Sequence, residues 1–229
     1  MFFIAPMKSL FEIKNRILLI ALVLAAPGGQ LRSYAEEIAP AGKHLVEVLE
    51  GMHVDKLWLA GKRVNWRTGE ATGTYDQKLA SHTHCSAFAA AAAEKLGIYL
   101  LHPPEHSAVL LANAQQEWLR GSGTNQGWRF VDSPLAAQRL ANQGALVVVT
   151  CKNPDPKLPG HIAIIRPSTK SDADIVAEGP QIMQAGKHNY LSTNAKEGFK
   201  NHAGAFEKNE LLYFAHAVPA QAQAQLEGQ

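Results

Sequence analysis

The hydrophobic and polar residues of the chain follow different periods in its two halves. Up to about residue 142, apolar positions recur at helical spacing, which predicts helices over residues 41–49, 85–96, 108–120 and 134–142. Residues 57–66 turn at Gly61 and are predicted to form a hairpin or two short extended segments. Later, short apolar runs predict strands over residues 145–150, 161–166, 174–177, 181–185 and 211–218. Helices followed by antiparallel strands indicate an α+β domain.

The N-terminal segment has the layout of a secretory signal peptide. Basic residues precede an apolar run at residues 17–26, and the small residues Ser33 and Ala35 stand just before Glu36. An apolar run this short does not span a bilayer. The sequence therefore predicts a signal peptide over residues 1–35, an exported protein that is periplasmic or secreted, and no stable membrane insertion after cleavage.

The remaining chain predicts one domain over residues 36–218 and a disordered, low-complexity tail over residues 219–229. Several of the basic residues belong to the leader, so acidic and basic residues nearly balance once it is removed. No basic cluster remains, and a nucleic-acid partner is not expected.

Cys85 is the main candidate for chemistry, because it stands at the start of the alanine-rich helix in SHTHCSAFAAAAAEKLG. The free N–H groups at a helix start favour thiolate over thiol, so Cys85 is a candidate nucleophile. Thr83 or Ser81 is expected to cap the same helix. His161 opens an apolar strand directly after Gly160 and is the candidate base for such a thiol.

Other roles for these residues remain open on the sequence alone. In an exported protein, Cys85 could form a disulfide with Cys151, or it could be an inert buried thiol. His82, His84 and Cys85 could ligate zinc, but they crowd one face and no second ligand cluster is evident, so neither a metal nor a cofactor is predicted. Trp128 lies in a predicted loop, where it is a candidate substrate-binding residue or part of the core.

Three motifs together resemble the papain-like cysteine hydrolases of the NlpC/P60 and CHAP type, which cut peptides of bacterial cell walls. They are His84-Cys85-Ser86-Ala87-Phe88, Gly144-Ala145-Leu146-Val147 and Gly160-His161-Ile162-Ala163-Ile164-Ile165, and the resemblance covers residues 75–186. His84 departs from the pattern, since NlpC/P60 members usually carry Asp before the cysteine.

The resemblance implies a papain-like fold in which N-terminal helices pack on a central antiparallel sheet, and catalysis by Cys85 and His161. It places the third catalytic residue at Gln184 by the NlpC/P60 pattern or at Glu178 by the CHAP pattern, and Gln184 is preferred. The implied substrate is a peptidoglycan peptide or another peptide or amide, which is hydrolysed or transferred to an amine. The alternative is a non-catalytic module of the same fold that binds cell-wall peptides, with Cys85 bridged to Cys151.

Overall fold

A computed structural model of the protein describes residues 37–79, 81–202 and 204–220. Within these residues the chain forms helices and a six-stranded antiparallel sheet, which confirms the α+β prediction. The predicted signal peptide and residues 221–229 of the predicted tail lie outside the described residues. In the part of the chain that the structure describes, no helix is both long enough and apolar enough to cross a membrane.

The α-helices of the described residues correspond closely to four of the predicted segments and add two short helices. They are α1 Pro40–Glu50, α2 Cys85–Lys95, α3 Leu111–Arg120, α4 Pro134–Asn142, α5 Asp172–Glu178 and α6 Ala195–Gly198. The start of α4 is capped, because the Ser133 hydroxyl accepts a hydrogen bond from the Ala136 N–H, and Pro134 occupies the first turn.

All strand pairs in the sheet are antiparallel, and the strand order is β1-β6-β2-β3-β4-β5. The strands are β1 Arg129–Val131, β2 Leu146–Cys151, β3 His161–Ile165, β4 Gln181–Gln184, β5 Tyr190–Asn194 and β6 Leu212–His216. Strands β2 and β3 are buried along their whole length, as their continuous apolar runs predict.

Side chains alternate along each strand, and each face of the sheet has its own apolar cluster. Ile162 and Ile164 of β3 pack in one cluster with residues of α1, α2 and α3. Ala163 and Ile165 pack in the other cluster with residues of α4 and α6. The alanines at positions 89–93 of α2 are buried, and their small side chains let the helix lie close to β3.

Two local predictions were wrong. Residues 174–177 belong to helix α5 instead of a strand. Ser171 caps this helix by accepting a hydrogen bond from the Asp174 N–H, and the acidic side chains of its first turn favour the positive end of the helix dipole. Residues 57–66 form turns with no hairpin of their own, and an isolated bridge joins Val64 to Ala71.

Candidate active site

Cys85 is the first residue of α2, and its thiol is surrounded by hydrogen-bond donors. They are the backbone N–H groups of Ile162, Ser86 and Cys85 itself, together with the Thr83 hydroxyl. These contacts favour the thiolate, but burial outweighs them and raises the pKa of the Cys85 thiol. The thiolate expected at this helix start is therefore not the resting form, which is a neutral thiol.

The expected side-chain cap of α2 is also absent. His84 occupies the N-cap position and makes no side-chain capping hydrogen bond. Its Nε2 atom lies 2.8 Å from the carbonyl oxygen of Lys62, and burial lowers the pKa of the ring. Thr83 contributes its hydroxyl to the Cys85 thiol instead of to the helix end.

His161 and Gln184 form a buried pair on adjacent strands. The Nε2 atom of His161 lies 2.9 Å from Oε1 of Gln184, and both residues are less than 5% exposed. Gln184 is held in turn, because its Nε2 donates to the carbonyl of His188 at 3.3 Å. Gly198 leaves room for this amide, since a Cβ there would stand 2.6 Å from Gln184 Oε1.

This hydrogen bond determines the tautomer of His161. The amide oxygen of Gln184 can only accept, so Nε2 of the imidazole carries the hydrogen. In the neutral ring the lone pair is then on Nδ1, which can accept a proton. Burial lowers the pKa of His161 to about 4 despite the hydrogen bond that the ring donates to Gln184, so the ring is neutral at physiological pH.

Two aromatic side chains, which the sequence did not indicate, hold the faces and edges of the His161 ring. His202 stacks on it with a centroid separation of 5.0 Å and an interplanar angle of 8°. Phe199 meets it edge to face at 4.8 Å and 67°. The pKa of His202 is lowered to about 4 by burial and by repulsion from a charged His161. The His161 ring therefore has a fixed orientation, and its stacking neighbour His202 is neutral.

A cavity of about 340 Å³ opens beside this pair. His161, Gln184 and His202 line it together with Ser81 and Thr83 from the loop before α2. Ionisable side chains complete the wall, namely Lys187, His188, Tyr190, Glu197 and Lys200. The imidazole therefore faces a polar space of a size that accepts a small ligand or a short peptide segment.

The side chains of Cys85 and His161 lie on opposite faces of strand β3, which His161 begins. Cys85 belongs to the apolar cluster of Ile162 and Ile164, whereas the His161 ring contacts Phe199 in the cluster on the other face. The hydrogen bond from the Ile162 N–H places the sulfur beside the peptide bond that follows His161. Among the described residues, no hydrogen bond joins the two side chains. The fold therefore brings the thiol close to the backbone next to His161 without a hydrogen bond between the thiol and the imidazole.

The loop before His161 is fixed by Asn113 on α3. Its Oδ1 accepts a hydrogen bond from the Asn153 N–H at 3.1 Å, and its Nδ2 donates to the Leu158 carbonyl at 2.9 Å. At Gly160 a Cβ would lie 2.3 Å from the Cys151 carbonyl oxygen and 2.5 Å from Asn113 Oδ1. A glycine is therefore required where the chain enters β3.

The loop after Gln184 is fixed by Asn189. Its Oδ1 accepts a hydrogen bond from the Gly186 N–H at 2.9 Å. Its Nδ2 donates to the carbonyls of Val54 and Leu57 at 2.7 and 2.8 Å. One side chain thus joins this loop to the N-terminal part of the domain.

Two candidate residues from the sequence lie elsewhere. Glu178 is exposed at the end of α5, where it contacts Lys170 Nζ at 3.0 Å and Asn194 Nδ2 at 3.2 Å. Trp128 is 2% exposed, and its indole N–H donates to the Tyr99 carbonyl at 2.8 Å. Trp128 is therefore a core residue and does not line a groove, because its polar atom has an internal partner.

The proposed disulfide is also contradicted. Cys85 and Cys151 are both free, and they belong to the apolar clusters on opposite faces of the sheet. In residues 37–79, 81–202 and 204–220, no group of three or more His, Cys, Asp or Glu side chains is arranged to hold a metal ion.

Compared with known proteins, the chain matches no family model and no curated protein sequence.

Proposed function

We propose that this protein is an exported cysteine hydrolase of the papain-like NlpC/P60 or CHAP type, which cleaves peptide or amide bonds in peptidoglycan. The observation that supports this most directly is the hydrogen bond between His161 Nε2 and Gln184 Oε1. It leaves Nδ1 as a base beside a polar cavity, next to the strand residue whose N–H contacts the Cys85 thiol. The peptidoglycan substrate and the export rest on the sequence resemblance and the leader pattern.

In the proposed reaction the neutral thiol and the neutral imidazole act together. As an amide carbonyl enters the site, the Cys85 proton passes to Nδ1 of His161 and the sulfur forms a bond to the carbonyl carbon. The free N–H groups at the start of α2 stabilise the developing oxyanion. The C–N bond breaks when the imidazolium returns its proton to the amine. Water then hydrolyses the thioester, with His161 again accepting and returning a proton.

These reaction steps require the thiol to leave its resting contacts. Its hydrogen bonds to backbone N–H groups and to Thr83 must give way to a contact with Nδ1 when substrate binds. Catalytic hydrogen bonds are often long or unformed in free enzymes and tighten in the substrate complex. Since His161 is the first residue of β3, we propose that this contact forms around the end of the strand, by a movement of Cys85 that is coupled to substrate binding.

The test is digestion of purified peptidoglycan, with the products identified by mass spectrometry. Wild-type protein should release peptide fragments, and Cys85→Ala and His161→Ala should release none. Cys151→Ala is the matched control, because it removes the second buried thiol on the other face of the sheet and should leave cleavage intact. Cleavage by Cys85→Ala at the wild-type rate would refute thiol catalysis.

The second candidate is a non-catalytic module that binds a cell-wall peptide in the same cavity. The raised pKa of the Cys85 thiol and its lack of a hydrogen bond to His161 favour this candidate. It predicts that wild-type protein and Cys85→Ala bind solubilised peptidoglycan fragments with equal affinity, and that wild-type protein returns the fragments unchanged. Fragments shortened only by the wild-type protein would exclude the binding module.

A further inference from the structure

A second cavity, of about 380 Å³, adjoins the start of α2. Thr83 belongs to the walls of both cavities, so the second cavity adjoins the one that holds His161 at this residue. Ser86 and Ala87, in the first turn after Cys85, line only the second. A molecule that occupies both cavities would therefore lie against Thr83, two residues before Cys85 begins α2.

The wall of the second cavity is mainly apolar. Its apolar residues are Val64, Trp66, Ala87, Pro103, Ala108 and Leu111. Arg63 is exposed at the rim, and no lysine, aspartate or glutamate is part of the wall. The His161 cavity differs, because lysine and glutamate side chains line it. The two spaces therefore suit different chemical groups.

Trp66 is held in place before any ligand arrives. His102 stacks on its ring at 4.4 Å with an interplanar angle of 17°, and Arg67 lies over the ring at 5.0 Å from its centroid. Arg67 is itself paired with Glu94 at 2.7 Å. A wall that is already ordered lowers the entropy cost of binding an apolar group.

We infer that this second cavity is a specificity subsite for an apolar side chain of the substrate, next to the bond that Cys85 attacks, while the His161 cavity takes the polar part. This inference rests on the proposed function. It implies a substrate chain that lies across the start of α2, with an aliphatic or aromatic side chain on one side of the scissile amide. A volume of about 380 Å³ is within the range of small-ligand sites, about 300–1,000 Å³.

The experiment uses the whole protein and a synthetic peptide library in which L- and D-residues vary on both sides of each amide. Wild-type protein should prefer an apolar residue at one flanking position. Ala108→Leu fills the second cavity from an exposed position outside the helices, so the variant should fold like the wild-type protein. It should lower kcat/KM for peptides with Leu or Phe at that position by about tenfold or more relative to peptides with Ala there.

Ala177→Leu is the matched control, because it adds the same side chain at an exposed position of α5 away from either cavity. Identical cleavage profiles for the two Leu variants would overturn the inference. The absence of any apolar preference in the wild-type protein would also overturn the inference. If Cys85→Ala still cleaves the library, the proposed function fails instead.

A binding measurement tests the apolar subsite independently of the proposed catalytic activity. In the Cys85→Ala background, where no turnover is expected, Ala108→Leu should weaken the binding of peptides with Leu or Phe by about tenfold relative to Ala177→Leu. Equal affinities would overturn the subsite whatever the catalytic result, and the expected difference would support it even if the protein only binds peptides.

Discussion

Replacement of His161 by Gln should change how the stability of the protein depends on pH. Burial lowers the pKa of His161 from 6.5 to about 4 in the folded protein, whereas the unfolded chain retains the ordinary value. Between these values the unfolded state binds more protons than the native state. Wild-type stability should therefore fall as the pH falls from 6.5 towards 4, and the contribution of this residue should be constant above and below that window.

The size of the effect follows from the two pKa values. A difference of one pKa unit corresponds to about 1.4 kcal/mol, so the change from 6.5 to about 4 corresponds to about 3 kcal/mol. This is a large part of the 5–15 kcal/mol that is typical of a domain. His161→Gln removes the titrating ring and keeps a side chain that can donate to Gln184. Its stability relative to wild type should therefore rise by about 3 kcal/mol as the pH falls across the window.

Urea unfolding followed by circular dichroism, at several pH values between 4 and 7, measures the difference directly. The carboxylates titrate in both proteins and cancel in the comparison. His202 has the same direction of shift and remains in the variant, where the loss of repulsion from His161 raises its pKa. Parallel stability curves, with a constant gap from pH 7 to 4, would refute the claim that His161 is held neutral by burial.

Three further predictions concern the candidate site. Gln184→Ala should lower the acylation rate, measured by stopped flow, by about 10- to 10³-fold because the His161 ring loses its orientation. Glu178→Ala should stay near wild type, and reversed magnitudes would assign the orienting role to Glu178. His202→Phe should retain the ring stack on His161 and most of kcat, whereas His202→Ala should lose about tenfold, and equal losses would contradict a stacking role. Because burial raises the pKa of Cys85 above its ordinary value of 9.0, iodoacetamide labelling should still accelerate at pH 9, and a plateau below pH 8 would contradict this.

Sequence patterns predicted the elements that carry their own signals. The continuous apolar runs identified β2 and β3, and helical spacing identified α4, at whose start the structure shows the Ser133 cap. Cys85 does begin a helix, and Gly97, with a φ of 69°, follows its end. These features depend on residues that are near one another in the chain, and local physical chemistry is sufficient to predict them.

Other features depend on distant pairings and left no local pattern. Strand β1 is three residues long and pairs with β6 from the far end of the domain. Strand β5 is a polar edge strand, so it lacks the apolar alternation of a half-buried strand. Residues 174–177 combine β-branched side chains with an apolar run, and the capping by Ser171 outweighed that preference.

The same distinction applies to the candidate site. His161 and Gln184 could be proposed because each stands in a recognisable strand, and the structure places them in hydrogen-bond contact. The stacking of His202 on His161 could not be proposed, because its segment carries no helical or strand periodicity. The raised pKa of Cys85 depends on burial that only the packed domain creates.

The side chain of Asn189 has a consequence for biosynthesis. The carbonyls of Val54 and Leu57 that it binds leave the ribosome long before residue 189 does. The loop that anchors Gln184 therefore cannot adopt its final form until almost the whole domain has been synthesised. Within this domain, partly made chains hold the cysteine and lack the framework around the imidazole. A hydrolase of the kind proposed would therefore assemble the framework around the imidazole only after residue 189 has been synthesised.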